Sequence, residues 1–85
     1  MTLEEQFKAA KDRVFTLTSK PSNDVMLKLY SLFKQSTEGD VKGEAPSNPF
    51  DFVNKAKYDA WASLQGKTSE DAMKEYVDLV NKLKG

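Results

Sequence analysis

The spacing of apolar residues divides this 85-residue chain into four amphipathic helical stretches. Within each stretch apolar residues recur every three or four positions, and no segment alternates at period two for long enough to indicate a strand. Helix-breaking residues lie between the stretches, with Pro21, Gly39 and Gly66 at three of the boundaries. The pattern therefore predicts an all-α fold in which residues 1–85 form one domain.

The boundaries of the four stretches follow from caps and breakers. Thr2 with Glu5, and Thr68 with Asp71, have the spacing of a capping box. We expect helices over about residues 3–17, 25–35, 51–64 and 69–83, the second closing near Gly39. The segment between helices 2 and 3, residues 37–49, is rich in Gly, Pro and polar residues, which predicts a long irregular connection.

The composition limits the chemistry that the chain can perform. It contains neither cysteine nor histidine, so disulfides, thiolate metal sites, thiol nucleophiles and imidazole bases are all excluded. An enzyme would have to rely on carboxylates, lysines or tyrosines. Thirteen Lys and Arg residues balance thirteen Asp and Glu residues, so no overall field attracts nucleic acid. We therefore expect a protein without catalytic residues, metal site or cofactor that binds no nucleic acid.

Two features of the sequence bear on localisation. No stretch approaches the ~20 apolar residues needed to span a bilayer. The first residues, M-T-L-E-E-Q-F-K, carry two acids and no apolar run of signal-peptide length. We expect a soluble cytoplasmic protein, and a monomer, because each apolar stripe can be buried inside one bundle.

Helix 2 carries more apolar surface than one face of a helix usually buries. Its apolar stripe consists of Met26, Leu29, Tyr30 and Phe33. Three further apolar residues widen this stripe, namely Val25, Leu27 and Leu32. A central helix that packs against two or three others would explain this excess. A groove for an apolar ligand, lined by Met26 and Leu27, would explain it equally well, because methionine adapts to chains of varying shape.

Several cations lie one helical turn from aromatic rings. Tyr30 and Lys34 are four residues apart beside Phe33, and Lys57 precedes Trp61 by the same spacing. An aromatic surface, a hydroxyl and a cation together suit a phosphorylated purine. The alternative is a core ring beside a solvated lysine, which is the usual arrangement in helices.

Helix 4 places a tyrosine in its apolar stripe. Tyr76 would be an ordinary core ring, but its hydroxyl would then need a hydrogen-bond partner. A phosphate group of a ligand could be that partner. The sequence alone leaves the two interpretations open.

Three blocks of the sequence together resemble the acyl-CoA-binding protein family. Residues 21–39, P-S-N-D-V-M-L-K-L-Y-S-L-F-K-Q-S-T-E-G, resemble its signature segment. D-F-V-N-K-A-K-Y-D-A-W and S-E-D-A-M-K-E-Y-V resemble its third and fourth helices, so that the similarity covers essentially the whole chain. The resemblance implies an up-down-down-up four-helix bundle with a long crossover from helix 2 to helix 3.

The same resemblance implies a non-catalytic carrier of medium- to long-chain fatty acyl-CoA esters. Such a protein buffers its ligand, delivers it to acyl-CoA-using enzymes and contacts membrane surfaces transiently. The residues that match the family's coenzyme A head-group contacts are Tyr30, Phe33, Lys34, Lys57 and Tyr76, and those that match its acyl groove are Met26 and Leu27.

Three positions depart from the family pattern. Phe15 and Val53 stand where many members have lysines near the ligand, and Tyr58 replaces a frequent tryptophan. The resemblance therefore implies fewer cationic contacts to the diphosphate in this chain.

Other classes of function remain open on the residues alone. The wide apolar face of helix 2 could receive an amphipathic helix of a partner protein. A nucleic-acid-binding bundle is disfavoured by the zero net charge. A thioesterase would need a nucleophile and a base, and the sequence nominates no such pair.

Overall fold

The computed structural model describes residues 2–17, 21–43 and 47–84, and it consists of four α-helices. They are α1 (Leu3–Val14), α2 (Asn23–Glu38), α3 (Phe52–Ala62) and α4 (Ser69–Lys84). No strand occurs in these ranges, which confirms the all-α class. Within them no helix is long and apolar enough to cross a membrane.

The ends of the helices follow the predicted caps, with one exception. The hydroxyls of Thr2 and Thr68 accept hydrogen bonds from the backbone N–H groups of Glu5 and Asp71, each at 3.1 Å. The prediction that the first helix reaches residue 17 is wrong, because α1 ends at Val14. There the N–H of Thr16 bonds the carbonyl three residues earlier at 2.9 Å, so the last turn tightens and the helix stops.

Gly39 ends α2 in a conformation that favours glycine. Its φ is +80°, in the left-handed region, and its N–H donates to the carbonyl of Gln35 at 3.2 Å. The predicted end of helix 2 near this residue is therefore confirmed. The long connection to α3 begins here, and residues 44–46 of it lie outside the described ranges.

Contacts between side chains give the directions of the helices. Phe7 of α1 packs on Tyr76 of α4, and Arg13 donates to Asn81 at 2.7 Å further along both helices, so α1 and α4 are parallel. Tyr30 of α2 faces Lys57 of α3.

Lys34 faces Trp61 one turn further along α2 and α3, so these two helices are parallel as well. The side chain of Gln35, near the end of α2, bonds the carbonyl of Lys67 just before α4 begins, so α2 and α4 are antiparallel. This is the up-down-down-up arrangement that the resemblance implied.

The core joins three of the helices and leaves the fourth outside. Its fully buried apolar residues belong to α1, α2 and α4, and they are Phe7, Ala10, Leu29, Leu32, Ala72, Tyr76 and Val80. α3 contributes no fully buried residue, and α2 is the one helix that it packs against. A groove runs along the seam between α2 and α3.

Candidate functional site

The larger of two neighbouring grooves lies between α2 and α3 and has a volume of about 520 Å³. It is lined by Asn23, Met26, Leu27, Tyr30, Phe52, Val53, Ala56 and Lys57. Most of this lining is apolar, and among the described residues Lys57 is its one cation. Four of the predicted site residues line this groove. Met26, Leu27 and Tyr30 lie on α2, and Lys57 lies opposite them on α3.

The smaller groove lies beside it, between α1, α2 and α4, and has a volume of about 290 Å³. Its lining residues are Lys11, Val14, Phe15, Met26, Leu29, Tyr30, Phe33 and Tyr76. Met26 and Tyr30 line both grooves, so the two depressions meet at these residues. The structure thereby brings Phe33 and Tyr76 into one groove with two other predicted site residues, Met26 and Tyr30.

Two cation–aromatic contacts cross the seam between α2 and α3. The Nζ of Lys57 lies 5.2 Å from the ring centroid of Tyr30, and the Nζ of Lys34 lies 5.1 Å from that of Trp61. Each helix supplies one lysine and one ring four residues apart, and parallel packing brings the two pairs into register. Two ammonium groups are therefore held at the seam.

Lys34 differs from the other predicted residues because it lines neither groove. It lies one turn beyond Tyr30 on α2 and forms an ion pair with Glu38. The hydrogen bond that Lys34 donates to the Glu38 carboxylate raises the pKa of Lys34, and desolvation opposes this rise. The charge of that carboxylate and, to a smaller extent, the phenol of Tyr30 raise the pKa further. The ammonium is thus a fixed positive charge beside the groove.

Tyr76 packs in the floor of the smaller groove. Its ring meets that of Phe7 edge to face, with centroids 5.0 Å apart. The side chain is buried, and this burial raises the pKa of its phenol. The hydroxyl therefore stays protonated and available as a hydrogen-bond donor at neutral pH.

Lys11 is a groove residue that the sequence reasoning missed. Its Nζ lies 5.3 Å and 5.4 Å from the ring centroids of Phe7 and Phe33, at the edge of the smaller groove. The spacing of Phe7 and Lys11, four residues apart on helix 1, is the signal that could have found it. The groove edge therefore has a third cation.

The two departures from the family pattern lie at the rim of the grooves. Phe15 is 88% exposed at the smaller groove, and Val53 is 65% exposed at the larger one. Apolar surface thus occupies the rim where the resemblance led us to expect lysines. Tyr58, the third departure, donates its hydroxyl hydrogen to the carbonyl of Gly43 at 3.3 Å and so contacts the crossover.

Comparison with known proteins assigns the family. The model of the family described as "Acyl CoA binding protein" matches residues 4–80. The chain belongs to the acyl-CoA-binding protein family. Acyl-CoA-binding protein 2 of Oryza sativa has the same fold, with a TM-score of 0.89 and 36% identity, over 96% of this chain and 90% of the rice chain.

Two relatives show how the acyl-CoA-binding protein unit is used. The acyl-CoA-binding protein of Gossypium hirsutum is 43% identical over 83 residues, which cover 98% of this chain and 92% of the cotton protein. Enoyl-CoA delta isomerase 2 of Rattus norvegicus is 46% identical over 80 residues, and the chain spans only 20% of that protein. The similarity to the isomerase is thus confined to one part of it, and the family itself is one of binding proteins.

Proposed function

We propose that this chain is a non-catalytic carrier of medium- to long-chain fatty acyl-CoA esters. The observation that carries the proposal is the apolar groove between α2 and α3, bordered by Lys57 and Tyr30, in a member of the acyl-CoA-binding protein family. An acyl-CoA ester has the matching chemistry, since it joins an apolar chain to a phosphorylated purine nucleotide. No metal or cofactor forms part of the proposal.

The acyl chain would lie in the groove against Met26 and Leu27. Burying a sixteen-carbon chain contributes on the order of 10 kcal/mol at ~0.8 kcal/mol per methylene, before ordering and association costs are subtracted. Methionine adapts its shape to neighbouring groups, which favours acceptance of chains of different length. The chain would therefore supply most of the affinity.

The head group would lie where the cations and rings converge. In this arrangement Tyr30 and Phe33 contact the adenine, Lys34 and Lys57 bind the 3′-phosphate, and the hydroxyl of Tyr76 donates near the nucleotide. Each charge-assisted hydrogen bond from a lysine to the phosphate would contribute roughly 1.5–3 kcal/mol. A free fatty acid makes none of these bonds, so the head group would set the specificity.

The surroundings of the grooves support the remaining parts of the proposal. Large apolar side chains lie exposed along the grooves at Phe15, Phe52 and Val53, and Phe50, two residues before Phe52, is exposed as well. Exposed aromatic rings favour brief contact with a membrane surface or with an acceptor enzyme, where the ligand is collected or released. We include a cytoplasmic location and a monomeric state, in which the carrier buffers the free ester and delivers it to acyl-CoA-using enzymes.

Calorimetric titration with palmitoyl-CoA, free coenzyme A and palmitate tests the proposal. We expect tight binding of palmitoyl-CoA and much weaker binding of the other two ligands. Lys34→Ala and Lys57→Ala should each lose about 1.5–3 kcal/mol of palmitoyl-CoA binding free energy.

Lys55→Ala is the matched control for these variants. Its side chain is exposed on α3 and lines neither groove, so its affinity should equal that of the unmodified protein. Absence of palmitoyl-CoA binding would refute the carrier, and binding of an amphipathic peptide in its place would favour a helical interaction module. Hydrolysis of the bound thioester above its spontaneous rate would show an enzyme instead.

A further inference from the structure

Glu38 binds the ammonium group of Lys34, which the proposed function assigns to the ligand's phosphate. Its carboxylate forms an ion pair with Lys34 one turn earlier on α2. The Lys34 side chain is only 24% exposed and lies over the ring of Trp61, while the Glu38 side chain is 51% exposed. The lysine is therefore held in place, and the carboxylate is the partner that is free to turn toward water.

The position of Glu38 is unfavourable with respect to the dipole of its own helix. It is the last residue of α2, and the last turn of that helix contains no basic residue. A negative charge at the C-terminus of a helix opposes the helix dipole, whose negative end lies there. The one described interaction of its carboxylate is that with Lys34.

An incoming phosphate would meet this carboxylate directly. To bond Lys34, a doubly charged phosphate must either displace Glu38 or share the ammonium with it, since the group has three N–H donors. Displacement forfeits the existing ion pair, and sharing holds two anions a few ångströms apart. In both cases Glu38 lowers the net contribution of Lys34 to ligand binding.

We propose that Glu38 is a specificity-determining residue that competes with the ligand's ribose 3′-phosphate for the Lys34 ammonium. This inference rests on the proposed function, because it assigns Lys34 to that phosphate. Its consequence is a weakened preference for coenzyme A esters over analogues that lack the 3′-phosphate.

The test compares two ligands on one variant. Glu38→Gln keeps the shape of the side chain and removes its charge. It loses the ion pair with Lys34 but relieves the unfavourable dipole interaction, and these two effects are of similar size, so the variant should fold about as stably as the unmodified protein. Dissociation constants are measured by calorimetry for palmitoyl-CoA and for its 3′-dephospho analogue, at low and at high ionic strength. Glu75→Gln, which removes the other described ion pair, with Lys67, is the matched control.

We expect Glu38→Gln to bind palmitoyl-CoA roughly three- to tenfold more tightly at low ionic strength and the dephospho analogue with unchanged affinity. The gain should shrink at high salt, because screening weakens the competing charge. In a protein that already carries Lys34→Ala, adding Glu38→Gln should give no gain in palmitoyl-CoA affinity. The Glu75→Gln variant should bind both ligands as the unmodified protein does.

Two results would overturn the inference while leaving the carrier intact. Unchanged palmitoyl-CoA affinity in Glu38→Gln, alongside a clear loss in Lys34→Ala, would show that the carboxylate does not compete. An equal gain for both ligands would show that Glu38 acts on binding in general and not on the 3′-phosphate. Failure of the unmodified protein to bind palmitoyl-CoA would remove the proposed function itself, and this inference with it.

Discussion

At the scale of single residues, the amide of Gln35 joins three parts of the chain. Its Oε1 accepts a hydrogen bond from the indole N–H of Trp61 at 3.1 Å. Its Nε2 donates to the carboxylate of Asp40 at 2.9 Å and to the carbonyl of Lys67 at 2.8 Å. Because the side chain is fully buried, water cannot replace these bonds. Gln35 thus ties the end of α2 to α3, to the crossover and to the approach to α4.

Replacing Gln35 tests this role. Gln35→Leu keeps a side chain of comparable size but removes the amide donor from the carbonyl of Lys67, while the indole N–H of Trp61 keeps its hydrogen bond to the carbonyl of Gly39 at 2.8 Å. One buried group left unsatisfied costs about 1–3 kcal/mol, so we expect the free energy of unfolding, measured by urea denaturation, to fall by about that amount. Gln65→Leu, at an exposed position, is the control and should change it little. Equal values for the two variants would contradict this account.

Asp40 gives the same region a dependence on pH. The backbone N–H of Gly66 and the amide of Gln35 both donate to its carboxylate, and these bonds lower its pKa below the ordinary 3.8, while desolvation opposes them. A carboxyl with a lowered folded-state pKa stabilises the fold fully above its ordinary pKa, and this stabilisation is lost as the pH falls through the lowered value.

We therefore expect Asp40→Asn to be less stable than the unmodified protein at neutral pH. The difference should shrink as the pH falls below 3.8, because the native carboxyl then becomes neutral as well. Urea denaturation of both proteins over a series of pH values measures this difference in the free energy of unfolding. A difference that stays constant across that range would show that the charge of Asp40 has no part in stability.

At the scale of elements, α3 is the least anchored helix. It has no fully buried residue, and α2 is the one helix that it packs against. The other three helices share the apolar core. Since local opening is easiest where few apolar contacts must break, α3 should open more often than its neighbours.

Hydrogen exchange of backbone amides measures this difference. We expect the amides of α3 to exchange roughly tenfold or more faster than those in the middle of α2 and α4. Saturation with palmitoyl-CoA should slow exchange most strongly in α3, because the ligand would bridge it to α2. Uniform slowing over all four helices would indicate general stabilisation of the fold without a ligand between α2 and α3.

The elements also show what the sequence could and could not predict. Local signals such as the capping boxes at Thr2 and Thr68 located helix starts, since a cap depends on residues only three positions apart. The stop of α1 at Val14 was missed, because Leu17 continues the apolar spacing while the backbone has already left the helix. The parallel course of α2 and α3 followed from the resemblance and not from periodicity, which carries no information on direction.

In the candidate site, too, local spacing could be predicted from the sequence and contacts between helices could not. Spacing along one helix placed Tyr30 beside Lys34, but it could not show that Lys34 turns to Glu38 and Trp61 and lines neither groove. The spacing of Phe7 and Lys11 was a local signal for Lys11, but the contact of Lys11 with Phe33 depends on how two helices pack. Contacts between helices depend on packing, and one sequence does not specify it.

At the scale of the whole molecule, the groove sits outside the core. The core is completed by α1, α2 and α4, so the seam between α2 and α3 is free to receive a ligand without disturbing it. The chain has zero net charge, and its recognition of an anionic head group therefore depends on a few placed cations such as Lys57. An acyl-CoA ester, with its apolar chain at one end and its phosphate at the other, would extend along the full length of this seam.

The central claim is that the acyl chain of an acyl-CoA ester lies in the groove between α2 and α3. Nuclear Overhauser contacts between bound palmitoyl-CoA and the isotope-labelled protein test it most directly. We predict contacts from the acyl methylenes to the side-chain methyl groups of Met26 and Leu27, with the largest amide shift changes near Tyr30 and Lys57. Contacts confined to the opposite faces of α1 and α4, or no change on titration, would contradict the account.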